Sequence, residues 1–306
     1  MKMTIKYILI LIISMFVASV QAKRHTDWER FGLNGNVKEM HIHYIRHQSY
    51  EKIYRFDENG NTIETIKNKG GRTRQISKEE YKYDSLKNII KYSRYIDGEY
   101  KYSREYIYNE KGVMIESLDF DCQGKGRGKK KFKYDDNGKC IEKSCYSRRN
   151  KLFWTDTIKY DNNGNKIEEV EYNTNEKFKP FGGFHHKTVY KYDERGNLTE
   201  ETKYLPNGDF EYKNTNKYDD NGNCIEETHY EPKNLYSGKE HYEKEVYKLD
   251  EKGNRIEIAI YDSIDHINKT VVMKYDDETG NVIEELHYYE SNDKPYRNVY
   301  EYEYYK

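Results

Sequence analysis

Aromatic and charged residues alternate along most of the chain, and short turn sequences separate the alternating stretches. In Tyr190-Lys191-Tyr192 the rings occupy every second position, which is the periodicity of a β-strand. Asp193 then opens a D-x-x-G sequence that ends at Gly196. Aspartate favours the first position of a type I turn, and glycine supplies the left-handed conformation that closes a three-residue hairpin loop. The pattern therefore predicts a β-hairpin.

The same hairpin sequence returns at nearly constant intervals. Nine turn residues align with one another, and the successive intervals are 27, 25, 26, 26, 32, 26, 31 and 26 residues. A period of this kind predicts a repeat architecture, in which each unit packs on its neighbours. The nine turn residues are Asp57, Asp84, Asn109, Asp135, Asp161, Asp193, Asp219, Asp250 and Asp276. We predict structural turns at the pairs Asp57 and Gly60, Asp135 and Gly138, Asp161 and Gly164, Asp193 and Gly196, Asp219 and Gly222, and Asp250 and Gly253.

Two apolar positions after the turn do not fit one flat strand. Ile167 is six residues after its turn aspartate and Tyr172 is eleven residues after it, so a regular strand would place them on opposite faces. Either a bulge separates them or both faces of the sheet are partly covered, and we favour a strongly twisted sheet with one better-buried face. In the second unit Lys87 stands in the glycine position and requires a positive φ or a different turn.

The ends of the chain resemble halves of a unit. Residues 31–37 look like a back half and residues 299–304 look like a front half, and such halves could close the two edges of the array. We therefore predict an all-β fold: tandem β-hairpin repeats that form one elongated, twisted or curled antiparallel sheet, a solenoid of about nine units. Residues 23–306 are predicted to form this single domain.

Composition supports a folded chain and limits its partners. Charged residues make up 35% of the chain, yet 34 residues are tyrosine, and disordered chains are poor in aromatic residues. The 53 basic residues are balanced by 54 acidic ones. Nucleic acid is therefore not an expected partner, because phosphate binding requires a basic excess.

The first 22 residues predict a signal peptide. Lys2 and Lys6 precede an apolar run from Tyr7 to Val17, and Val20-Gln21-Ala22 supplies small residues before a cleavage point, as in secretory signals. An uncleaved anchor is the alternative. We expect an exported protein that is periplasmic, at the cell surface or secreted, with no membrane insertion after cleavage.

Few residues are arranged as a reactive site would require. Cys122, Cys140, Cys145 and Cys224 include no CxxC pair, so free thiols or one incidental disulfide are expected. His41-x-His43 and the adjacent His185 and His186 lack the third and fourth ligands of a metal motif, and we predict no metal and no cofactor. Weak calcium binding by the hairpin tips stays open. The chain has no nucleophile elbow and no phosphate-binding loop, so we predict a protein that is not an enzyme.

Two insertions depart most strongly from the repeat pattern. They occupy residues 174–186 and 231–242, where they lengthen the same connection in two units. Loops that interrupt a repeat often carry its binding function, and their rings could stack on a sugar or anchor a protein. The candidate binding residues are Phe178, Phe181, Phe184, His185, His186, Tyr236, His241 and Tyr242. A tolerated insertion without a function is the alternative.

The recurring Y-D-x-x-G sequence resembles the RHS/YD-repeat family. It is intact at Tyr134 to Gly138, Tyr160 to Gly164, Tyr192 to Gly196 and Tyr218 to Gly222, and the array covers nearly all of residues 23–306. The resemblance implies a curled hairpin sheet and an extracytoplasmic recognition role, since larger family members form shells around toxins or on cell surfaces. The family's usual arginine after glycine is asparagine in most units here, as at Asn165.

Together these patterns favour a non-enzymatic exported protein that binds glycan or protein at the cell envelope or has a structural role there. One alternative is an accessory or remnant of an RHS toxin-delivery system. Another is a carbohydrate-active hydrolase that uses the glutamates seven residues after each turn, as glycosidases use paired carboxylates. Regular cross-strand pairing with the lysine before each turn is the simpler role for those glutamates.

Overall fold

The computed structural model describes residues 26–45, 50–69, 72–174, 183–232, 238, 240–290 and 294–306. The predicted signal peptide lies outside these residues. The described chain contains a short helix, α1 (Asp27–Arg30), and antiparallel strands that follow one another throughout. The strands are β1 (Val37–Ile45), β2 (Tyr50–Phe56), β3 (Thr62–Lys69), β4 (Arg72–Tyr83), β5 (Ile89–Ile96), β6 (Glu99–Tyr108), β7 (Met114–Phe120), β8 (Gly126–Tyr134), β9 (Cys140–Ser147), β10 (Leu152–Tyr160), β11 (Lys166–Asn173), β12 (Phe184–Tyr192), β13 (Leu198–Tyr204), β14 (Phe210–Tyr218), β15 (Cys224–Glu231), β16 (His241–Leu249), β17 (Arg255–Tyr261), β18 (Ile267–Tyr275), β19 (Val282–Tyr289) and β20 (Tyr296–Tyr304).

The sheet is closed. Each strand pairs with the next one in the chain, and β1 also pairs with β20, so the 20 strands form an antiparallel barrel. The all-β prediction is confirmed, but the elongated open sheet predicted from the repeat is wrong. The physical reason is that the two edge strands satisfy each other's backbone groups, whereas an open array would leave both rows unpaired.

The closing pair of strands reproduces the hairpin of a repeat unit without a covalent turn. Tyr304 of β20 pairs with Val37 of β1 after a register shift. Inside the array, Tyr218 pairs with Cys224 after the same kind of shift. The half-units at the two ends of the chain therefore do not cap separate edges, because together they complete one further unit.

Backbone hydrogen bonds extend this equivalence to the turn. The amide of Tyr305 donates to the carbonyl of Asn36 at 2.9 Å, as the amide of Asp219 donates to the carbonyl of Asn223 at 2.9 Å. We call the junction of β20 and β1 the seam. Asn281 links the preceding unit to it, since the Asn281 side chain accepts a hydrogen bond from the amide of Asn34 and donates one to the carbonyl of Asn34. The Asn281 side chain is fully enclosed, with 1% of its surface exposed.

Each turn aspartate organises its own hairpin. Oδ1 of Asp161 accepts a hydrogen bond from the amide of Asn165 at 2.7 Å, and Oδ2 accepts one from the Asn165 side chain at 3.1 Å. Gly164 has a φ of 90°, in the left-handed region, and Lys87 takes a φ of 64° in the equivalent place. Both oxygens of the carboxylate are thus engaged within the turn, Oδ1 by a backbone amide and Oδ2 by a side-chain amide.

A bulge follows the turn and explains the conflict between the apolar positions. Lys159 pairs with Glu168 and Tyr160 pairs with Lys166, which leaves Ile167 as the extra residue. A bulged residue does not keep the alternation of the strand. The equivalent isoleucines are substantially exposed, with values of 37% or 38% at Ile63, Ile90, Ile115, Ile141 and Ile283.

Tyrosine hydroxyls link successive units. In six units the tyrosine directly before the turn donates to a backbone carbonyl at the start of the preceding unit's second strand, and we call these bonds tyrosine staples. Tyr302 makes the same kind of bond in β20, whereas Tyr83 donates to the carboxylate of Asp57. Leu249 occupies the equivalent position in one unit and has no hydroxyl to donate. The staples join Tyr108 to Ile89, Tyr134 to Met114, Tyr160 to Cys140, Tyr192 to Lys166, Tyr218 to Leu198, Tyr275 to Arg255 and Tyr302 to Val282, at 2.6–2.9 Å.

A small hydrophobic core lies beside the seam. Helix α1 begins at a capping box formed by Thr26 and Glu29, and Trp28 packs directly against Gly60, where an added Cβ would lie 2.7 Å from the indole. The carboxylate of Asp27 accepts a hydrogen bond from the amide of Thr62 at 2.7 Å. These contacts cover a buried cluster of Val37, Met40, Ile42 and Phe56.

Candidate functional site: the inner face of the barrel

The alternation of the strands gives the sheet two chemically different faces. One face carries the lysines before the turns and the glutamates seven residues after them, and we call it the ion-pair face. The other carries most tyrosines of the strands that precede the turns, and we call it the tyrosine face. The strand registers place on it Tyr134, Tyr160, Tyr190, Tyr192, Tyr212, Tyr218, Tyr247, Tyr275, Tyr300 and Tyr302.

Cross-strand ion pairs recur around the ion-pair face, as the sequence predicts. Glu168 contacts Lys159 at 2.7 Å and Lys187 of the next unit at 2.6 Å. Hydrogen bonds from Lys159 and then Lys187 hold the pKa of Glu168 below its usual value. Further pairs join Lys133 to Glu142, Lys191 to Glu200, Lys217 to Glu226 and Lys274 to Glu284, at 2.6–2.9 Å.

The tyrosine face is the concave, inner face. Its buried residues include long side chains, such as Tyr247 at 5% and His287 at 8% exposure. The buried residues of the ion-pair face are short, such as Ser144 at 4% and Thr202 at 5%. Side chains converge on the concave side of a closed sheet and diverge on the convex side, so long side chains become buried inside.

An acidic depression lies on the inner face across β13 to β16. It is a shallow depression that is partly open to solvent. Burial raises the pKa of Glu245, whose nearest partner is the hydroxyl of Tyr247. The residues that line the acidic depression are Leu198, Glu201, Asn214, Asn216, Glu227, Thr228, His229, Glu243 and Glu245.

Polar side chains fix the carboxylates of the acidic depression. Tyr212 donates its hydroxyl hydrogen to Glu201 at 2.7 Å, and Arg255 donates to Glu227 at 3.0 Å. The ring of His229 lies beside that of Tyr212, with 5.9 Å between centroids. The depression thus combines aromatic rings with held hydrogen-bond acceptors, which is the combination that polar ligands with apolar faces require.

A cluster of two histidines and two glutamates lies on the inner face near the first insertion. Nδ1 of His185 is 2.6 Å from Glu171 Oε1, and Nε2 of His186 is 3.4 Å from Glu211 Oε2. The two imidazole centroids are 3.8 Å apart. Burial, followed by the charge of Lys203, lowers the pKa of His186. We call Glu171, His185, His186 and Glu211 the histidine cluster.

A second group of histidines lies on the ion-pair face. His41 and His43 point to the same side of β1, with ring centroids 6.1 Å apart, as their spacing predicts. Glu51 on β2 lies 3.0 Å from Nδ1 of His41 and 3.7 Å from Nδ1 of His43. Desolvation opposes protonation of His41, but hydrogen bonds to Glu39 and Glu51 raise its pKa overall.

The structure separates the binding residues predicted from the two insertions. Phe178, Phe181 and Tyr236 lie outside the described residues, and Phe184 begins β12. Of the remaining four residues, two are on β12 beside the acidic depression and two are on β16, which lines it. His185 and His186 belong to the histidine cluster on β12, His241 lies 5.8 Å from His229 between ring centroids, and Tyr242 pairs with Tyr230.

The inner carboxylates are residues that the sequence prediction missed. Glu201 and Glu227 directly follow the glutamates of the ion-pair face. Consecutive strand residues point to opposite faces, so each Glu-Glu dipeptide supplies one outer and one inner carboxylate. The dipeptides 168–169, 200–201, 226–227 and 284–285 were the available signal for an acidic interior.

Two other sequence expectations concern thiols and membrane helices. The four cysteines are free thiols, of which Cys122 is exposed and Cys145 and Cys224 are buried. Burial raises the pKa of Cys224 to about 12, so this thiol is not a ready nucleophile. In the described part of the chain, no helix is long and apolar enough to cross a membrane.

No family model and no curated protein matches this chain. Similar solved structures include the TcdB2-TccC3-TEV crystal structure, at 11% identity and a TM-score of 0.38 over 77% of this chain and 15% of the other. A Photorhabdus luminescens Tc holotoxin pore is 14% identical, with a TM-score of 0.42 over 83% of this chain and 14% of the other. A porin-like protein from Bacteroides uniformis is 10% identical, with a TM-score of 0.36 over 88% of this chain and 99% of the other. The chain spans about a seventh of the two toxin chains, and none of these similarities carries an argument about function.

Proposed function

We propose that this chain is a non-enzymatic, exported binding module of the cell envelope, related to YD-repeat proteins, which takes a glycan on the inner face of its barrel. The observation that carries the proposal is the inner face itself, where aromatic rings and fixed carboxylates surround an open depression. The proposal of export depends on the signal-like sequence of residues 1–22.

The size of the sheet supports a hollow interior. For 20 strands spaced about 4.8 Å apart and tilted by roughly 40°, a circular cross-section gives a backbone radius of about 20 Å. Barrels of about 8 strands are filled by their own side chains, whereas those of about 16 or more leave an aqueous space. A ligand much larger than a metabolite fits such a space.

The chemistry of the acidic depression favours a saccharide. Carboxylates such as Glu201 and Glu227 accept hydrogen bonds from hydroxyl groups, and a sugar offers these in pairs. Tyr212 and His229 present rings beside the carboxylates, on which the apolar face of a sugar can stack. A protein segment is the alternative ligand, and it would use the same rings and carboxylates.

The outer face favours an aqueous environment for the barrel. Lys159, Lys191 and Lys217 are 63–69% exposed there and pair with glutamates. A lipid-facing barrel wall carries an apolar band, and charged residues at its middle are strongly destabilising. The ion-pair face has the opposite character, which supports a barrel surrounded by water.

A glycan array with the purified protein tests the proposal, and two adjacent glutamates provide a matched comparison. We expect saccharide binding that Glu227→Gln weakens at least tenfold, because Glu227 lines the acidic depression. Glu226→Gln serves as the control, because Glu226 pairs with Lys217 on the outer face. Phe181→Ala and Tyr236→Ala test the insertions separately.

Three results would contradict the proposal. Absence of binding to every saccharide on the array would exclude a glycan as the ligand. Equal losses of affinity in Glu227→Gln and Glu226→Gln would exclude the inner face as the binding site. Cleavage of a bound glycan that one carboxylate substitution abolishes would show that the protein is an enzyme.

A further inference from the structure

We propose that Glu171, His185 and His186 bind a divalent transition-metal ion of the zinc class through one carboxylate and two imidazoles, with a coordination position left open. This inference is independent of the proposed glycan. It concerns a different part of the inner face from the acidic depression.

The three side chains already converge. One donor atom from each of Glu171, His185 and His186 lies within 4.8 Å of the other two, and the shortest contact is 2.6 Å. Ligand atoms placed about 2.0–2.2 Å from a tetrahedral zinc ion are roughly 3.3 Å from one another. Small side-chain rotations therefore suffice to bring all three donors to an ion between them.

A β-bulge makes this convergence compatible with two adjacent histidines. On a regular strand, His185 and His186 would point to opposite faces. Glu171 pairs with His186 and Tyr172 pairs with Phe184, so His185 is the extra residue of a bulge in β12. Bulges re-aim side chains, and this one directs both rings toward Glu171.

Glu211 completes the arrangement from the neighbouring unit. Its Oε2 is buried and accepts no hydrogen bond within the described structure, although His186 and Lys203 lie 3.4 and 3.2 Å away. A histidine that binds a metal through one nitrogen usually donates from the other to a carboxylate. A small rotation of His186 on binding would give Glu211 that hydrogen bond.

The histidines of the ion-pair face are less suited to a metal. His41 contacts Glu39 at 2.6 Å and Glu51 at 3.0 Å, so both of its ring nitrogens are already occupied. Arg55 also hydrogen-bonds Glu39, so that carboxylate already has two partners. A metal at this group would have to displace these contacts before it gained any ligand.

The donor set determines the class of ion. Two imidazoles and a carboxylate suit zinc and its neighbours among the transition metals, whereas calcium requires six to eight oxygen ligands. Three protein ligands also leave room for water or for an oxygen of a second ligand at the ion, as in sites that bind and polarise a ligand.

Zinc titration of the chelator-treated protein tests the site, with bound metal counted by elemental analysis and the dissociation constant measured by calorimetry. We expect one equivalent of zinc to bind, and Glu171→Gln to weaken binding at least tenfold. Glu211→Gln should weaken it by about 10- to 100-fold through the outer hydrogen bond. The His41→Ala/His43→Ala double variant should bind like the unmodified protein.

Circular dichroism in the presence of chelator separates loss of binding from loss of fold, since both glutamine variants keep the size of the replaced side chain. Absence of zinc binding, or undiminished binding in Glu171→Gln, would overturn the proposal. Loss of binding in the His41→Ala/His43→Ala variant alone would overturn it as well. If the protein binds zinc but no glycan, the zinc site is supported and only the proposed glycan-binding function is contradicted.

Discussion

Replacing Asn281 with alanine tests how the barrel is closed. The Asn281 side chain makes three hydrogen bonds at the seam. Two of them cross it: Asn281 accepts one from the amide of Asn34 at 2.7 Å and donates one to the Asn34 carbonyl at 2.9 Å. The third is donated to the hydroxyl of Tyr304 on β20 at 2.9 Å. Each neutral hydrogen bond contributes roughly 0.5–1.5 kcal/mol. The variant should therefore lose about 3 kcal/mol of unfolding free energy.

Asn223→Ala is the matched control. Asn223 occupies the equivalent place in a covalently closed hairpin, where its side chain donates one hydrogen bond to Asp219 at 3.0 Å. Because the acceptor is a carboxylate, we expect this variant to lose about 1.5 kcal/mol, half the loss expected for Asn281→Ala. Equilibrium urea unfolding followed by circular dichroism measures both losses, and hydrogen exchange should show faster exchange in β1 and β20 of Asn281→Ala alone.

Equal losses in Asn281→Ala and Asn223→Ala would refute the reasoning, because the seam would then depend on no more than a local turn contact. Unchanged exchange in β1 and β20 would refute it independently, since the three bonds at the seam cannot be removed without raising the frequency of its opening.

Two further predictions concern the staples and a buried carboxylate. Tyr192→Phe should lower the free energy of unfolding by about 1 kcal/mol, because the carbonyl of Lys166 loses its donor; Leu249→Tyr should raise the urea midpoint by supplying a missing hydroxyl, and the reverse order of midpoints would contradict both. Burial, followed by the charge of Glu169, raises the pKa of Asp156 to about 6, so the folded state disfavours its ionised form above that pH. Asp156→Asn should therefore stabilise the protein by about 1 kcal/mol at pH 8 after allowance for its partial exposure, and the gain should shrink as the pH falls from about 6 to about 4; a gain independent of pH would exclude ionisation as the cause.

Local patterns predicted the strands and turns because their causes are local. The alternation around Tyr192 and the Asp-to-Gly turn after it depend on a few neighbouring residues. The pairing of Lys191 with Glu200 follows from the same hairpin register. Such features repeat in most units, so a deviation in a single unit, such as Lys87 in the glycine position, does not change the prediction.

The closure of the sheet could not be read from those patterns. The pairing of Val37 with Tyr304 joins the two ends of the domain, and it depends on the twist and curvature accumulated over all the units. The sequence showed two half-units, but it did not show that they face each other. The histidine cluster could not be predicted for a similar reason. The bulge at His185 and the approach of Glu211 from another unit cannot be inferred from the local spacing of residues.

Because β20 and β1 together complete one repeat unit, the circumference of the barrel can change only in fixed steps. Because the terminal halves must still meet in register, a whole unit of about 26 residues is the smallest length of chain that can be gained or lost without unpairing the join. Each such event adds or removes two strands, or roughly 10 Å of wall. Gene duplication within the array would thus widen the enclosed space while the Tyr304–Val37 contact stays the same, and ligands of different girth could be accommodated by changing the number of units alone.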